Sequence, residues 1–387
     1  MMERTSYNTG DLLDLVVAHI DIPKSLYEKA AARHRSLGEW LCRESSAVRH
    51  LNPDVRPQGS FRFGTVTRPL HEDNEYDLDN VCVLTLLQKS DQTQQQLKYL
   101  YGEELRAYAR EHGMKAPLEE CNRCWRLRYA DEVSFHLDSL PCVPEEAAVI
   151  AGIVAAGVSD ELARRAVAIT DRRHPMYAEI TRAWYSSNPR GFAAWFELRA
   201  SLGRLRAVAK GGIRAAVEDV PPYEWKTPLQ RVIQLMKRHR DVMFRDSPDL
   251  APISMIITNL AARSYEGEPD ILEAMTNIVE RMPTFIRADR PFIPNPADLA
   301  EDYADKWASD PRLRKSFWDW YYALKSDLAR LPAILGTTRL DPEIQTVFAV
   351  NLTQSELDLF KGHVGTPHII TATPAVAIPS AAKPWGT

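Results

Sequence analysis

Two carboxylates stand two residues apart in Glu75-Tyr76-Asp77-Leu78-Asp79. On an extended strand, residues at that spacing leave the same face, roughly 6.5 to 7 Å apart along the backbone, so both side chains can converge on one ion. Oxygen-only ligands of this kind suit Mg²⁺, which is usually held by a few carboxylates together with substrate phosphates. A second ion about 3.5 to 4 Å away, of the kind that activates an attacking hydroxyl, calls for a third carboxylate. Asp138 is the candidate: it ends Ser134-Phe135-His136-Leu137-Asp138, an apolar-rich strand in which an unpaired carboxylate would be costly. Upstream lies Gln58-Gly59-Ser60-Phe61-Arg62-Phe63-Gly64-Thr65. Gly59 allows the backbone to approach a triphosphate, and the Ser60 hydroxyl can donate to a phosphate oxygen. Together these residues describe a phosphate-and-metal site.

Each piece alone has a plainer reading. An Asp-x-Asp pair is commonly a solvated strand end, a Gly-Ser pair an ordinary turn, and Asp138 could be salt-bridged to Arg126 or Arg128. The specificity lies in the order: turn, then the acidic pair, then the strand-borne aspartate. Lys237 stands four residues before Asp241, where an i,i+4 ion pair on a solvated helix face explains it as well as a phosphate contact does. Arg231, Arg238 and Arg240 make that face basic, which fits a cleft wall or an interface with the front lobe. Cys121-x-x-Cys124 is half of a zinc site whose other half is missing. The aromatic run Phe317, Trp318, Trp320, Tyr321, Tyr322 has the density of core packing rather than of a base-stacking surface.

The elements that must position these residues can be read from periodicity. Lys24 to Cys42 carries apolar residues at near-helical spacing behind Pro23, a long opening helix. Val55 to Gln58 and the run Asp77 to Leu84 alternate with period two and are strands, as are Cys124 to Tyr129 and Glu132 to Leu140, joined near Ala130-Asp131. Leu97 to His112 returns to helix. The sheet is therefore built from about 55 to 145, and the chain beyond about 146 is mainly helical. Thr227-Pro228 marks a helix start clearly. Ser254 to Tyr265, Asp270 to Met282, Asp298 to Trp307 and Pro311 to Leu331 are further helices. About 362 to 387 is proline-rich and nearly uncharged, a flexible tail.

The 387 residues are ample for two lobes, and 45% apolar with 26% charged residues is an ordinary globular balance that excludes disordered, fibrous and membrane classes. A formal net charge of −4 and a pI near 6.2 argue against strong nucleic-acid binding by bulk electrostatics. Five irregularly spaced cysteines do not suggest a disulfide framework, and the start has no signal-peptide pattern; a cytoplasmic protein without membrane contact is expected.

The turn, the Asp-x-Asp pair and the later aspartate resemble the DNA polymerase β-like nucleotidyltransferases, and more nearly the bacterial cGAS/DncV-like nucleotidyltransferases (CD-NTases) of CBASS anti-phage defence. Thr227-Pro228-Leu229-Gln230, Lys237 to Asp241, Pro252-Ile253-Ser254, Ser187-Asn188-Pro189 with Gly191, and Asn295-Pro296 ahead of Tyr303 to Trp307 carry the likeness over roughly 25 to 335. The resemblance implies an α+β fold: a two-lobed core, its mixed sheet flanked by helices, plus a C-terminal helical lobe. The expected divisions are 1–145 (catalytic core with the opening helix), 146–335 (helical lobe closing the cleft) and 336–387 (extension and tail). It implies that Gln58, Gly59 and Ser60 hold the donor triphosphate, with Lys237 and Ser254 assisting, and that Asp77, Asp79 and Asp138 are catalytic and bind two Mg²⁺ ions, for which Mn²⁺ could substitute. The implied activity is synthesis of a cyclic di- or trinucleotide from ATP and a second nucleoside triphosphate, with release of pyrophosphate and a downstream effector reached through the product. An E1/E2-like conjugating partner at Thr387 is a further implication. The competing functions are a non-cyclising nucleotidyltransferase acting on RNA or protein, and a non-catalytic nucleotide sensor.

Overall fold

The computed structural model describes residues 7–71, 75–129, 135–209, 226–287 and 291–361, the side chains of 204–209 excepted. The expected joint near Ala130-Asp131, the start of the strand through Ser134, and the tail over 362–387 lie outside the described residues.

The chain opens with α1 (Thr9–Ile20), which the sequence reading did not separate, then α2 (Lys24–Cys42). β1 (Pro53–Gln58) leads through the short α3 (Gly59–Phe63) to β2 (Tyr76–Leu84), followed by α4 (Gln94–Glu111). Next come β3 (Glu119–Glu120), β4 (Trp125–Tyr129) and β5 (Phe135–Pro144). α5 (Ala147–Ala155) and α6 (Asp160–Ala163) precede β6 (Val167–Ile169) and β7 (Tyr185–Ser187), which extend the sheet past the expected limit of 145. The remaining helices are α7 (Pro189–Ala209), α8 (Pro228–Met243), α9 (Ser254–Ser264), α10 (Ile271–Arg281), α11 (Pro311–Ile334), α12 (Leu340–Phe348) and α13 (Gln354–Leu359). A small hairpin, β8 (Pro294–Asn295) with β9 (Asp298–Asp302), interrupts them.

The main sheet runs β1-β2-β5-β4-β3, with β6 and β7 continuing from β5; β2 and β5 are parallel and the other pairs antiparallel. Alternation assigns its faces. Leu78, Cys82 and Leu84 on β2, Leu127 on β4 and Phe135 and Leu137 on β5 pack with Leu37 and Leu41 of α2 and Leu97, Tyr101 and Leu105 of α4. Asp77, Asp79, His136 and Asp138 belong to the opposite face.

A second core joins α7 to α12. α1 belongs to it and not to the sheet side: Leu12, Leu13, Val16, Val17 and Ile20 are buried there, against α8 and α10. Its helix is set by local features, apolar residues at helical spacing and an Asn8 cap reciprocated by Asp11. Asp298 to Trp307, expected to be a helix, is instead β9 and a 3₁₀ turn over Asp305–Trp307. Its acidic side chains take the backbone donors a helix would use: Asp298 Oδ1 accepts from Ala300 N–H (3.2 Å) and Asp302 Oδ1 from Ala304 N–H (2.9 Å). Phe317, Trp320 and Tyr321 are buried in the helical core, while Tyr322 is exposed.

Candidate active site and its relatives

The parallel register of β2 and β5 brings the three aspartates together. Asp79 is paired with Asp138 and Asp77 with His136, so all four side chains rise from one face of adjacent strands. Ligand atoms of Asp77, His136 and Asp138 lie within 4.8 Å of one another. Asp77 is exposed toward a cleft of about 1030 Å³ between the sheet and the helices, whose wall also includes Asp79, Gln58, Gly59, Ser60, Lys237 and Ser254. Asp138 stands just behind that wall, and the Arg126 guanidinium donates to both its oxygens (Nε to Oδ1 2.7 Å, Nη2 to Oδ2 2.8 Å). The salt bridge weighed from sequence and the clustering with Asp77 are thus both present.

The turn before β2 is pressed against this cluster. Gly59 has φ +68°, and a Cβ there would lie 2.0 Å from Asp79 Oδ2, so only glycine fits. α3 starts at that glycine. Its Phe61 enters the sheet-side core, with ring centroids 5.6 Å from Tyr27, and Phe63 enters the helical core, 5.4 Å from Phe192 and 5.1 Å from Phe196.

Burial, together with the charges of Asp77 and Asp138, pushes the pKa of Asp79 up to about 8, with His136 and Lys237 partly offsetting them. Three carboxylates that repel one another on a shared face are a poor arrangement for an apo protein and a good one for a hard divalent cation. His136 was not singled out as a site residue. Its Nε2 is 3.0 Å from Asp77 Oδ1 and its Nδ1 3.2 Å from Glu75 Oε2. Burial disfavours its charged form, but the hydrogen bond and charge of Asp77 leave its pKa raised. The signal for it was its position two residues before Asp138 on one strand face.

Lys237 is not on a solvated face. It is 6% exposed, and its Nζ donates to the Thr65 carbonyl at 3.0 Å. Burial, and next the charge of Arg240, lower its pKa to about 8. Asp241 instead accepts from Arg240 Nε at 2.8 Å. Arg240 also donates to the Ser254 hydroxyl (2.9 Å), fixing that residue at the start of α9 on the cleft wall. The Ser187-Asn188-Pro189 segment is structural: Asn188 Oδ1 accepts from Gly191 N–H at 2.8 Å, while its Nδ2 donates to the carbonyls of Leu162 and Ala297, both at 2.8 Å. Among the described residues, no cluster of three or more metal-ligating groups includes Cys121 or Cys124.

A mixed sheet that presents paired acidic residues on one strand and another on its parallel neighbour, facing a helical lobe, is the fold of the polymerase β-like nucleotidyltransferases. Residues 53–142 match the family described as cyclic GMP-AMP synthase DncV-like, nucleotidyltransferase domain. Over that stretch the chain is similar to these bacterial cGAS/DncV-like nucleotidyltransferases. It is 29% identical over 311 residues to a c-di-GMP synthase of Roseivirga ehrenbergii, a stretch covering 79% of this chain and 75% of the relative. In fold it is similar to the Bradyrhizobium diazoefficiens CD-NTase CdnG in complex with GTP (TM-score 0.67, 20% identity, 90% of this chain and 97% of that one). It is also similar to Vibrio cholerae DncV cyclic AMP-GMP synthase in complex with the linear intermediate pppA(3′,5′)pG (TM-score 0.52, 18% identity, 79% and 70%). No helix among the described residues is long and apolar enough to cross a membrane.

Proposed function

We propose that this chain is a metal-dependent nucleotidyltransferase that joins nucleoside triphosphates into a cyclic di- or trinucleotide and releases pyrophosphate. The observation that carries the reading is the meeting of Asp77, Asp79 and Asp138 on one sheet face against the Gly59-Ser60 turn. The family and the c-di-GMP synthase relative support the choice of a cyclic product.

The oxygen donors of the three aspartates suit two Mg²⁺ ions, with Mn²⁺ as a substitute. When bound, such ions neutralise charge on the transferring phosphoryl group and lower the pKa of an attacking hydroxyl. The rest of the work falls to the chain. Gly59 lets the backbone approach the donor triphosphate, Ser60 donates its hydroxyl to a phosphate oxygen, and Gln58 borders the same pocket. Lys237 brings a buried cation to the phosphates, and Ser254, held by Arg240, supplies a hydroxyl beside it. Asp138, aimed by Arg126, receives the proton of the acceptor hydroxyl that attacks the α-phosphorus. A second round with the linear product closes the ring. The cleft of about 1030 Å³ is the space in which that second round would take place.

The substrates are ATP and a second nucleoside triphosphate, with GTP the first to test given the guanine product named for the relative. The enzyme works in the cytoplasm as the signal synthase of an anti-phage system, and a separate effector reads its product. An E1/E2-like partner conjugating Thr387 belongs to the same reading, and intact-mass analysis after co-expression with neighbouring genes tests it.

The test of the activity is incubation with all four ribonucleoside triphosphates and Mg²⁺ or Mn²⁺, phosphatase treatment, and mass spectrometry. A phosphatase-resistant cyclic product, lost in Asp77→Ala/Asp79→Ala, is expected. An unaffected rate in that variant removes these residues from the mechanism; product formation only with an added RNA or protein acceptor replaces cyclisation by transfer.

A further inference from the structure

β3 and β4 form a hairpin whose register pairs Glu119 with Arg126 and Glu120 with Trp125. Its next rung is Cys121 opposite Cys124, closed by a hydrogen bond from Cys121 N–H to the Cys124 carbonyl (3.0 Å) around the two-residue tip Asn122-Arg123. Directly opposed residues of an antiparallel pair project to the same face. A hydrogen-bonded rung holds its Cα atoms about 5.5 Å apart, inside the window of roughly 4.4 to 6.8 Å that a disulfide requires. Both thiols are free and half-buried.

Period two along β4 puts Cys124 on the face of Arg126, the residue that holds Asp138. Cys124 is thus two residues from Arg126 on the face that carries Asp138, with Cys121 as its cross-strand neighbour and the Asp138 charge acting on its thiol. The tip itself is pinned: Lys98 donates to the Cys121 carbonyl and, at 2.8 Å, to that of Asn122, and Arg123 Nε donates to Asp171 at 2.9 Å. The two sulfurs are therefore kept in register beside a carboxylate of the candidate metal site.

We propose that Cys121 and Cys124 are a dithiol–disulfide couple whose oxidation by a peroxide weakens divalent-metal binding at the Asp138 side of the site. The coupling rests on the metal-site reading above; the disulfide itself does not. The Cys121 sulfur attacks a peroxide oxygen, breaking the O–O bond and giving a sulfenic acid and water; the Cys124 sulfur then displaces the sulfenic oxygen as a second water. The two sulfurs lose two electrons and their two protons, and hydrogen peroxide gains both. The reduced Cys124 presents an S–H toward Asp138; the disulfide has no hydrogen, and its sulfur is drawn toward Cys121. Outer-shell partners of metal ligands are typically worth about 10- to 100-fold in affinity, and a weak thiol donor belongs at the low end of that span.

The experiment treats reduced full-length protein with hydrogen peroxide, then divides it between peptide mass mapping after thiol alkylation and a Mn²⁺ titration followed by electron paramagnetic resonance. A 121–124 linkage and a roughly tenfold weaker Mn²⁺ affinity are expected. Both should be reversed by dithiothreitol, absent in Cys121→Ser, and retained in Cys42→Ser, which removes the exposed thiol at the end of α2. Absence of the linkage under conditions that oxidise Cys42 overturns the couple. A complete linkage with unchanged Mn²⁺ affinity overturns its coupling to Asp138. Reduced protein that binds no Mn²⁺ at all refutes the metal-site reading and the coupling together, while the peptide map decides separately on the disulfide.

Discussion

Replacing Gly59 by alanine separates the cost of backbone strain from the cost of moving a carboxylate. The added Cβ would lie 2.0 Å from Asp79 Oδ2, 3.0 Å from its Cγ and 3.2 Å from its Cβ. Carbon and oxygen atoms in contact stand about 3.3 Å apart, so the carboxylate must retreat by roughly 1.3 Å. Misplacement of a catalytic group by about 1 Å can cost about 100-fold in rate. The left-handed backbone, φ +68°, adds about 1 to 2 kcal/mol of destabilisation once a Cβ is present. Gly113 supplies the control: it is also left-handed, φ +60°, but a Cβ there meets nothing within 4 Å. Gly113→Ala should therefore lose similar stability and keep its activity, whereas Gly59→Ala should lose about 100-fold in turnover at a comparable denaturation midpoint. Product formation from radiolabelled triphosphates and urea denaturation of both variants are the assays. A Gly59→Ala enzyme within about threefold of the parent would refute the claim that this turn sets the position of Asp79.

Other perturbations act at a distance from that contact. Lys237→Met, similar in length and uncharged, should lose at least about tenfold in activity, the value of a charged hydrogen bond of about 1.5 kcal/mol or more, while its denaturation midpoint moves little because a buried ammonium is itself costly; an unchanged KM and rate for the triphosphates would exclude Lys237 from binding. Gln234→Ala leaves the buried Val66 carbonyl, now 2.6 Å from Gln234 Nε2, without that donor, and should destabilise by about 1 to 3 kcal/mol and lower activity in step; denaturation and turnover measured together check the pairing. His34 sets a pH limit. Burial lowers its pKa from 6.5 to about 4 in the folded chain. The unfolded chain takes up this proton first, so the contribution is intact above about pH 6.5, declines as pH falls, and by pH 4 has removed about 3 kcal/mol. His34→Gln should flatten the stability profile between those values; a parent and variant that fall in parallel would assign the acid sensitivity elsewhere.

Much of the geometry of the candidate site was legible because its signals are local. The Asp77-Asp79 spacing, the Gly59-Ser60 turn and the Thr227-Pro228 helix start each depend on a few neighbouring residues, and the cap is realised by Thr227 and Gln230 acting on each other's backbone N–H groups. What escaped depends on pairing across the chain. The parallel register of β2 with β5 is what puts His136 opposite Asp77, and no local pattern encodes it. Lys237 looked equally suited to a solvated ion pair, because only the packing of α8 against residues 63–68 shows where its ammonium goes. Residues 298–307, expected as a helix, form β9 and a 3₁₀ turn for a related reason: the strength of Asp298 and Asp302 as local acceptors outweighs weak helical periodicity.

That packing explains why the family-like residues of α8 occur where they do. Gln230, Gln234, Lys237 and Arg238 share one face of the helix, at i, i+4, i+7 and i+8. They donate in turn to the carbonyls of Phe63 (2.8 Å), Val66 (2.6 Å), Thr65 (3.0 Å) and Arg68 (2.7 Å). The segment from 65 to 69 is neither helix nor strand, so its carbonyls have no regular partners of their own, and the helix supplies them. The stretch after the Gly-Ser turn is thereby fastened to the helical lobe, with Phe63 plugged into that lobe's core and Phe61 into the sheet's. A turn anchored in both cores cannot serve as the hinge between them. The distance from Ser60 to the aspartates is set by the fold itself, so under the proposed function the energy of nucleotide binding need not be spent on assembling the two sides of the site.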